Sequence, residues 1–134
     1  MSTFAERYQT DKSLEEEGAW VDLGDGIRIK VARIQSQRAR RVLMRLYRPY
    51  ENLRQSGRKV PEAVQEKITR QWLAEGILLD WEGVTDAEGE AIAFSVDHAL
   101  QVFEAFPDFL DEVAFFSREQ ETFRAERLEA AKGN

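Results

Sequence analysis

The stretch AWVDLGDGIRIKVARI, residues 19–34, constrains the fold more than any other. Ile27, Ile29 and Val31 alternate with Arg28, Lys30 and Ala32, which puts the branched apolar side chains on one face of a strand. Asp25-Gly26 suits the two-residue turn that joins such a strand to its predecessor, because glycine accepts a positive φ. The expectation is a β-hairpin carrying Trp20, Val21 and Leu23 on its first strand. A lone hairpin is marginal in water, so helices of this chain or a partner's strand must cover its apolar face.

Helical patterns supply that cover. In SQRARRVLMRLYRPYENLRQSGRK, Ser36 is placed to cap a helix over 36–56, and Ala39, Val42, Leu43, Leu46, Tyr47, Tyr50 and Leu53 recur at threes and fours as one stripe. Arg38, Arg40, Arg41, Arg45 and Arg48 fall largely outside it. Pro49 predicts a kink or break, and Gly57 an end. A second helix restarts at Pro61, with Val64, Ile68 and Trp72 on its buried side and Gly76 as its stop. Ser95 caps a third, in which Val96, Ala99, Leu100, Phe103 and Phe106 face inward. After Pro107 a fourth carries Phe109, Leu110, Val113, Ala114, Phe116 and Phe123 on one face. The fold class expected is α+β, mainly α-helical, with an N-terminal β-hairpin packed on about four helices. Residues 1–17 read as a flexible arm or a short marginal helix, 18–124 as a single globular domain, and 125–134 as a polar, frayed tail.

A chain of 134 residues fits one domain. No run approaches the roughly 20 apolar residues of a bilayer span, and the first residues carry no secretory pattern, so neither membrane insertion nor export is expected. The absence of cysteine excludes disulfides, thiolate metal sites and a thiol nucleophile. The net charge of −6 hides a strong segregation: −5 over residues 1–26, +10 over 27–70 and −11 over 71–134. Such blocks either neutralise one another within the fold or present opposite faces to different partners.

Asp80, Glu82, Asp86, Glu88 and Glu90 are the natural place to look for a metal. A calcium loop started at Asp86 meets Ala91 where its sixth position needs glycine, and one started at Asp80 has Val84 fifth and Thr85 sixth. Neither register closes, and Gly83 and Gly89 suggest two solvated turns instead. His98 is the only histidine and stands in the first turn of a helix, where a local capping role is expected. Gly24-Asp25-Gly26 is too short for a phosphate loop, and no nucleophile-elbow motif is present. No catalytic residue, metal or cofactor is therefore expected, and enzymatic activity is disfavoured. Five arginines on one helix could meet nucleic-acid phosphates, but the acidic pI near 4.9 and the lack of a helix-turn-helix glycine turn argue against it. Guanidinium groups equally recognise carboxylates on a protein. Trp81, between Asp80 and Glu82, has two readings: packed inward as part of an irregular strap between the helix pairs, or exposed as a partner anchor.

The order of WVDLGDGIRIKVARI, RARRVLMRLYRPY, LAEGILLDWEGV and FSVDHALQVFEAFPDFLDEVAFFSREQETF resembles the tail assembly chaperones of long-tailed bacteriophages, over roughly Trp20 to Phe123. The most specific piece is Leu78-Leu79-Asp80-Trp81-Glu82-Gly83, followed by the helix capped at Ser95. The resemblance implies a non-enzymatic protein of the infected bacterium's cytoplasm, absent from the mature virion. Such proteins hold the tape measure protein soluble while tail tube subunits polymerise around it, and are then displaced. In many phages a frameshift also gives a longer form; this chain would be the shorter one. The expected partners are the tape measure and tail tube proteins, contacted through Arg38, Arg40, Arg41, Arg45, Arg48 and Trp81, with self-association of basic face on acidic face as a further expectation. The alternative from another class is a small phage regulator that binds nucleic acid through the arginine-rich helix 36–56. A metal-dependent enzyme using Asp80 to Glu90 is the third.

Overall fold

The computed structural model describes residues 3–124; the tail expected over 125–134 lies outside them. Two short helices, α1 (Thr3–Tyr8) and α2 (Lys12–Glu17), precede strands β1 (Ala19–Gly24) and β2 (Ile27–Val31). Helix α3 (Gln37–Tyr47) runs through a single 3-10 turn at Arg48–Tyr50 into the short α4 (Glu51–Gln55). Helix α5 (Glu62–Trp72) widens into a π turn at Leu73–Ile77, which leads directly into β3 (Leu78–Glu82). Helices α6 (Val96–Ala105) and α7 (Pro107–Arg118) and a 3-10 turn at Gln120–Phe123 complete the order. The mainly helical α+β architecture is as the sequence predicts.

The hairpin gains a strand that sequence pattern did not show. β3 pairs antiparallel with β2, making β2 the centre of a three-stranded sheet. Residues 78–82, expected as an irregular strap, are therefore a strand. Their period-two signal is broken by a register shift opposite Lys30 and Val31, where Leu79 is the extra residue. Val21, Ile29 and Trp81 form one row across the sheet, and Ala19, Val31 and Leu78 another; all six are buried. The other face is polar. There Arg28 lies opposite Asp22 on one side and Glu82 on the other, binds Glu82 at 3.1 Å and covers the Trp20 ring at 4.8 Å.

Phe103, Val113, Phe123, Leu73 and Ile77 close over the apolar face with 1% exposure or less. Trp81 is 5% exposed. Its ring meets Phe94 edge-on at 5.2 Å, and its indole N–H donates to the Ile92 carbonyl at 2.7 Å. Of its two readings, the inward one holds; Trp81 is corrected from a surface anchor to a core residue. Phe106 goes the other way. Expected inside, it is 61% exposed, because Pro107 begins α7 and Phe106 leaves the helical register at φ −132°, ψ 80°. Gly76, expected to stop α5, instead lies inside the π turn where that turn touches α3: a Cβ there would stand 3.2 Å from Val42 Cβ and 3.4 Å from Ala39 Cα. The kink expected at Pro49 is the 3-10 turn.

Residues 3–17 form α1 and α2, and α2 is tied down. Asp11 caps it, accepting from Ser13 N at 2.9 Å, while Asp11 N donates to Phe123 O at 2.8 Å. Leu14 and Glu15 are buried. Burial alone would raise the Glu15 pKa. Hydrogen bonds from Thr10 at 2.7 Å and Arg33 at 2.5 Å, with the Arg33 charge, outweigh it and hold the carboxyl below its ordinary 4.5.

Two expectations follow. Trp81→Ala removes a large core aromatic and should cost about 3–5 kcal/mol in urea unfolding; a loss below about 1 kcal/mol would contradict the burial assigned to it. A carboxyl with a lowered folded pKa contributes stability above its unfolded value and loses it as pH falls through the folded one. Glu15→Gln should therefore be about 2 kcal/mol less stable than the parent at pH 7, since a charge-assisted buried contact is lost. The gap should close as the pH is lowered well below the ordinary 4.5, in melting curves followed by circular dichroism.

Candidate partner-binding surface

Helix α3 is the most cationic element, and its start is fixed from two sides. Ser36 Oγ accepts from Ala39 N at 3.2 Å, and the Glu16 carboxylate of α2 accepts from Gln37 N at 2.8 Å and 2.9 Å. A carboxylate suits the positive end of a helix. The helix then touches the π turn through Ala39, its only fully buried residue. The Trp72 indole N–H donates to Ala39 O at 2.9 Å, which holds α5 against it. The remaining stripe residues, Val42, Leu43, Leu46, Tyr47, Tyr50 and Leu53, are only half-buried. Small residues at the contact bring the backbones close, but most of α3 stays at the surface.

All five sequence-identified arginines, Arg38, Arg40, Arg41, Arg45 and Arg48, are exposed. At 100° per residue, Arg38, Arg41, Arg45 and Arg48 share one face and Arg40 points elsewhere. Arg45 pairs with Glu75, which also accepts from Gln71 Nε2 at 2.5 Å. Arg38, Arg40, Arg41 and Arg48 have no carboxylate partner among the described residues. Met44, three residues after Arg41 and four before Arg48, is 67% exposed and flanks the row. Among the described residues the basic block is thus not neutralised at these positions.

Sequence reading missed a second group of cations. Arg54, Arg58 and Lys59 come together with Tyr47 around an open pocket of about 400 Å³ between α4 and α5. The signal was available as Arg58-Lys59 immediately after the helix-ending Gly57, but only the fold brings Tyr47 and Gln65 to the same place. An acidic counterpart lies along α5, α6 and α7. Glu62, Glu66, Glu104 and Asp111, with Arg70 among them, rim a groove of about 420 Å³ over Phe103 and Leu110.

The five acids between Asp80 and Glu90 do not converge. Glu82 pairs with Arg28, and Asp80 accepts from Trp81 N at 2.8 Å. Asp86 accepts from both Glu88 N and Glu90 N at 2.9 Å, so its carboxylate builds the turn it stands in. Among the described residues no three His, Asp or Glu side chains are grouped to hold a metal ion. His98 donates its backbone N–H to Ser95 Oγ at 3.0 Å and sets its Nδ1 2.7 Å from the Ala93 carbonyl. Among the described residues no helix is long and apolar enough to cross a membrane.

Comparison with known proteins places the chain. The model of the YdaY prophage protein family matches residues 34–134, from just after the hairpin through α3 and onward. No curated protein and no solved structure gave a match. A match over more than half of the chain, spanning the arginine helix, the π turn, β3 and the last two helices, means that this phage-derived chain belongs to the YdaY prophage protein family.

Proposed function

We propose that this prophage protein is a tail assembly chaperone that works without catalysis, binding the tape measure protein and the tail tube protein during tail morphogenesis. The observation that carries the reading is the arginine row of α3. Three of its four cations lack a carboxylate among the described residues, and Met44 adds apolar surface beside them. Arg38 to Arg48 spans about 15 Å, or nearly three helical turns. An amphipathic helix with acids at every third or fourth position matches that length, and guanidinium–carboxylate pairing gives it register. Exposed ion pairs are individually weak, about 0–1 kcal/mol, so a partner held by several of them can be released. That suits a transient coat. Self-association of basic on acidic surface, residence in the host cytoplasm and absence from the finished virion complete the proposal.

Nucleic-acid binding along helix 36–56 draws on the same arginines and is the second reading. The acidic groove and the overall charge disfavour it, because a phosphate backbone approaching α3 also feels the acids of α5 to α7.

Co-expression with the tape measure protein of the same prophage tests the chaperone reading. The soluble fraction of that protein is expected to rise with this chain and to fall back with the Arg38→Glu, Arg41→Glu, Arg48→Glu variant, whose circular dichroism should be unchanged. Equal solubility with and without the chain would sink the reading. Retardation of DNA that vanishes on moderate salt addition, with no effect on the tape measure protein, would favour the regulator instead.

A further inference from the structure

The pocket at the α4–α5 junction goes beyond a protein-coating role. We infer that it is a binding site for a phosphate ester. Its walls are Tyr47, Arg54, Arg58, Lys59, Val60 and Gln65, and no carboxylate lines it. Arg54, Arg58 and Lys59 have no ion-pair partner among the described residues. Three cations drawn together with no carboxylate in the pocket wall repel one another, and a bound anion relieves that repulsion.

The backbone that carries these exposed cations is fixed. α4 ends in a turn where Gly57, at φ +80°, donates to Arg54 O and Arg58 N donates to Leu53 O, both at 3.1 Å. These two bonds occupy the Leu53 and Arg54 carbonyls near the end of α4 and fix the Arg58 backbone against the helix. Immediately after Lys59, Val60 is buried and its carbonyl accepts from Gln65 Nε2 at 2.9 Å, which pins the connection to α5. Arg54 lies over the Tyr47 ring at 4.9 Å. Stacking orients the guanidinium plane and leaves its edge N–H groups to bind oxygen.

The chemistry of the donors selects phosphate over carboxylate. Two guanidinium forks and one ammonium offer more N–H donors than the two oxygens of a carboxylate can accept, whereas a phosphate group carries more oxygen acceptors to share among them. Two sources share this chemistry, a free nucleotide-like phosphate and the backbone of a nucleic-acid strand.

The test is a melting-temperature comparison of the full chain in sodium phosphate and in sodium chloride at matched ionic strength. Phosphate is expected to stabilise the parent. Arg58→Gln with Lys59→Gln, both exposed positions, should abolish the gain, while Arg38→Gln with Arg41→Gln, the same charge change on α3, should keep it. Fluorescence anisotropy with a short labelled DNA single strand separates the sources. Binding more than about tenfold tighter than phosphate, with a salt slope lowered by about 1.4 in the pocket variant, assigns the strand. Binding no tighter than phosphate assigns a free ester. No phosphate-specific stabilisation, an equal gain in the pocket variant, or equally effective displacement by polyglutamate would overturn the proposal.

Discussion

Three consecutive backbone amides hold this molecule together. After β2, Ala32 N donates to Ile77 O at 2.9 Å, Arg33 N to Glu15 O at 2.9 Å and Ile34 N to Ser117 O at 3.2 Å. Each bond goes to a different element: the π turn, α2 and α7. A buried amide must find a partner, so the exit from the central strand is specified only when all three elements are docked. The Arg33 side chain strengthens the same point. It binds the buried Glu15 carboxylate and lies over the Phe123 ring at 5.6 Å. One short segment thus joins the N-terminal helices, the sheet and the C-terminal helix pair into one cooperative unit.

That junction also decides how α3 is displayed. The chain leaves the clasp at Ile34 and starts α3 at once, with Glu16 and Ser36 holding its first amides. Ala39 and Gly76 then bring the helix close to the π turn, where a Cβ on Gly76 would also crowd the side chains of Val42 at 3.2 Å and Trp72 at 3.3 Å. Close contact over a short length anchors the helix at its N-terminal end. The later turns, with Met44 and the arginines, extend along the surface and are open to a partner. The row's one ion pair among the described residues, Arg45 with Glu75, ties it back to the same π turn.

Much of this was legible in the residues. The hairpin followed from alternation around Asp25-Gly26, and the caps at Ser36 and Ser95 followed from short polar side chains ahead of helical apolar repeats. Phe103 and Val113 were readable as core because their spacing matched the helix period. Phe106 was not, because the register breaks one residue before Pro107 and periodicity carries no information across a break. β3 was hidden by its bulge, which shifts alternation by one residue within a five-residue strand. The arginine row was legible as a helical face, whereas the pocket of Arg54, Arg58 and Lys59 depends on Tyr47 and Gln65 from other elements.

By itself, then, the sequence determined the local elements, the absence of thiol chemistry and the separation of basic from acidic segments. These depend on side-chain type and on spacings shorter than a helix. The third strand, the burial of Trp81, the π turn and the α4–α5 pocket were decided by tertiary structure. Each needs residues brought together from distant positions: Trp81 is buried because Ile92, Phe94 and Phe109 close over it, and β3 is a strand because the open edge of β2 supplies its hydrogen bonds. Local propensity cannot encode a partner that only folding brings within reach.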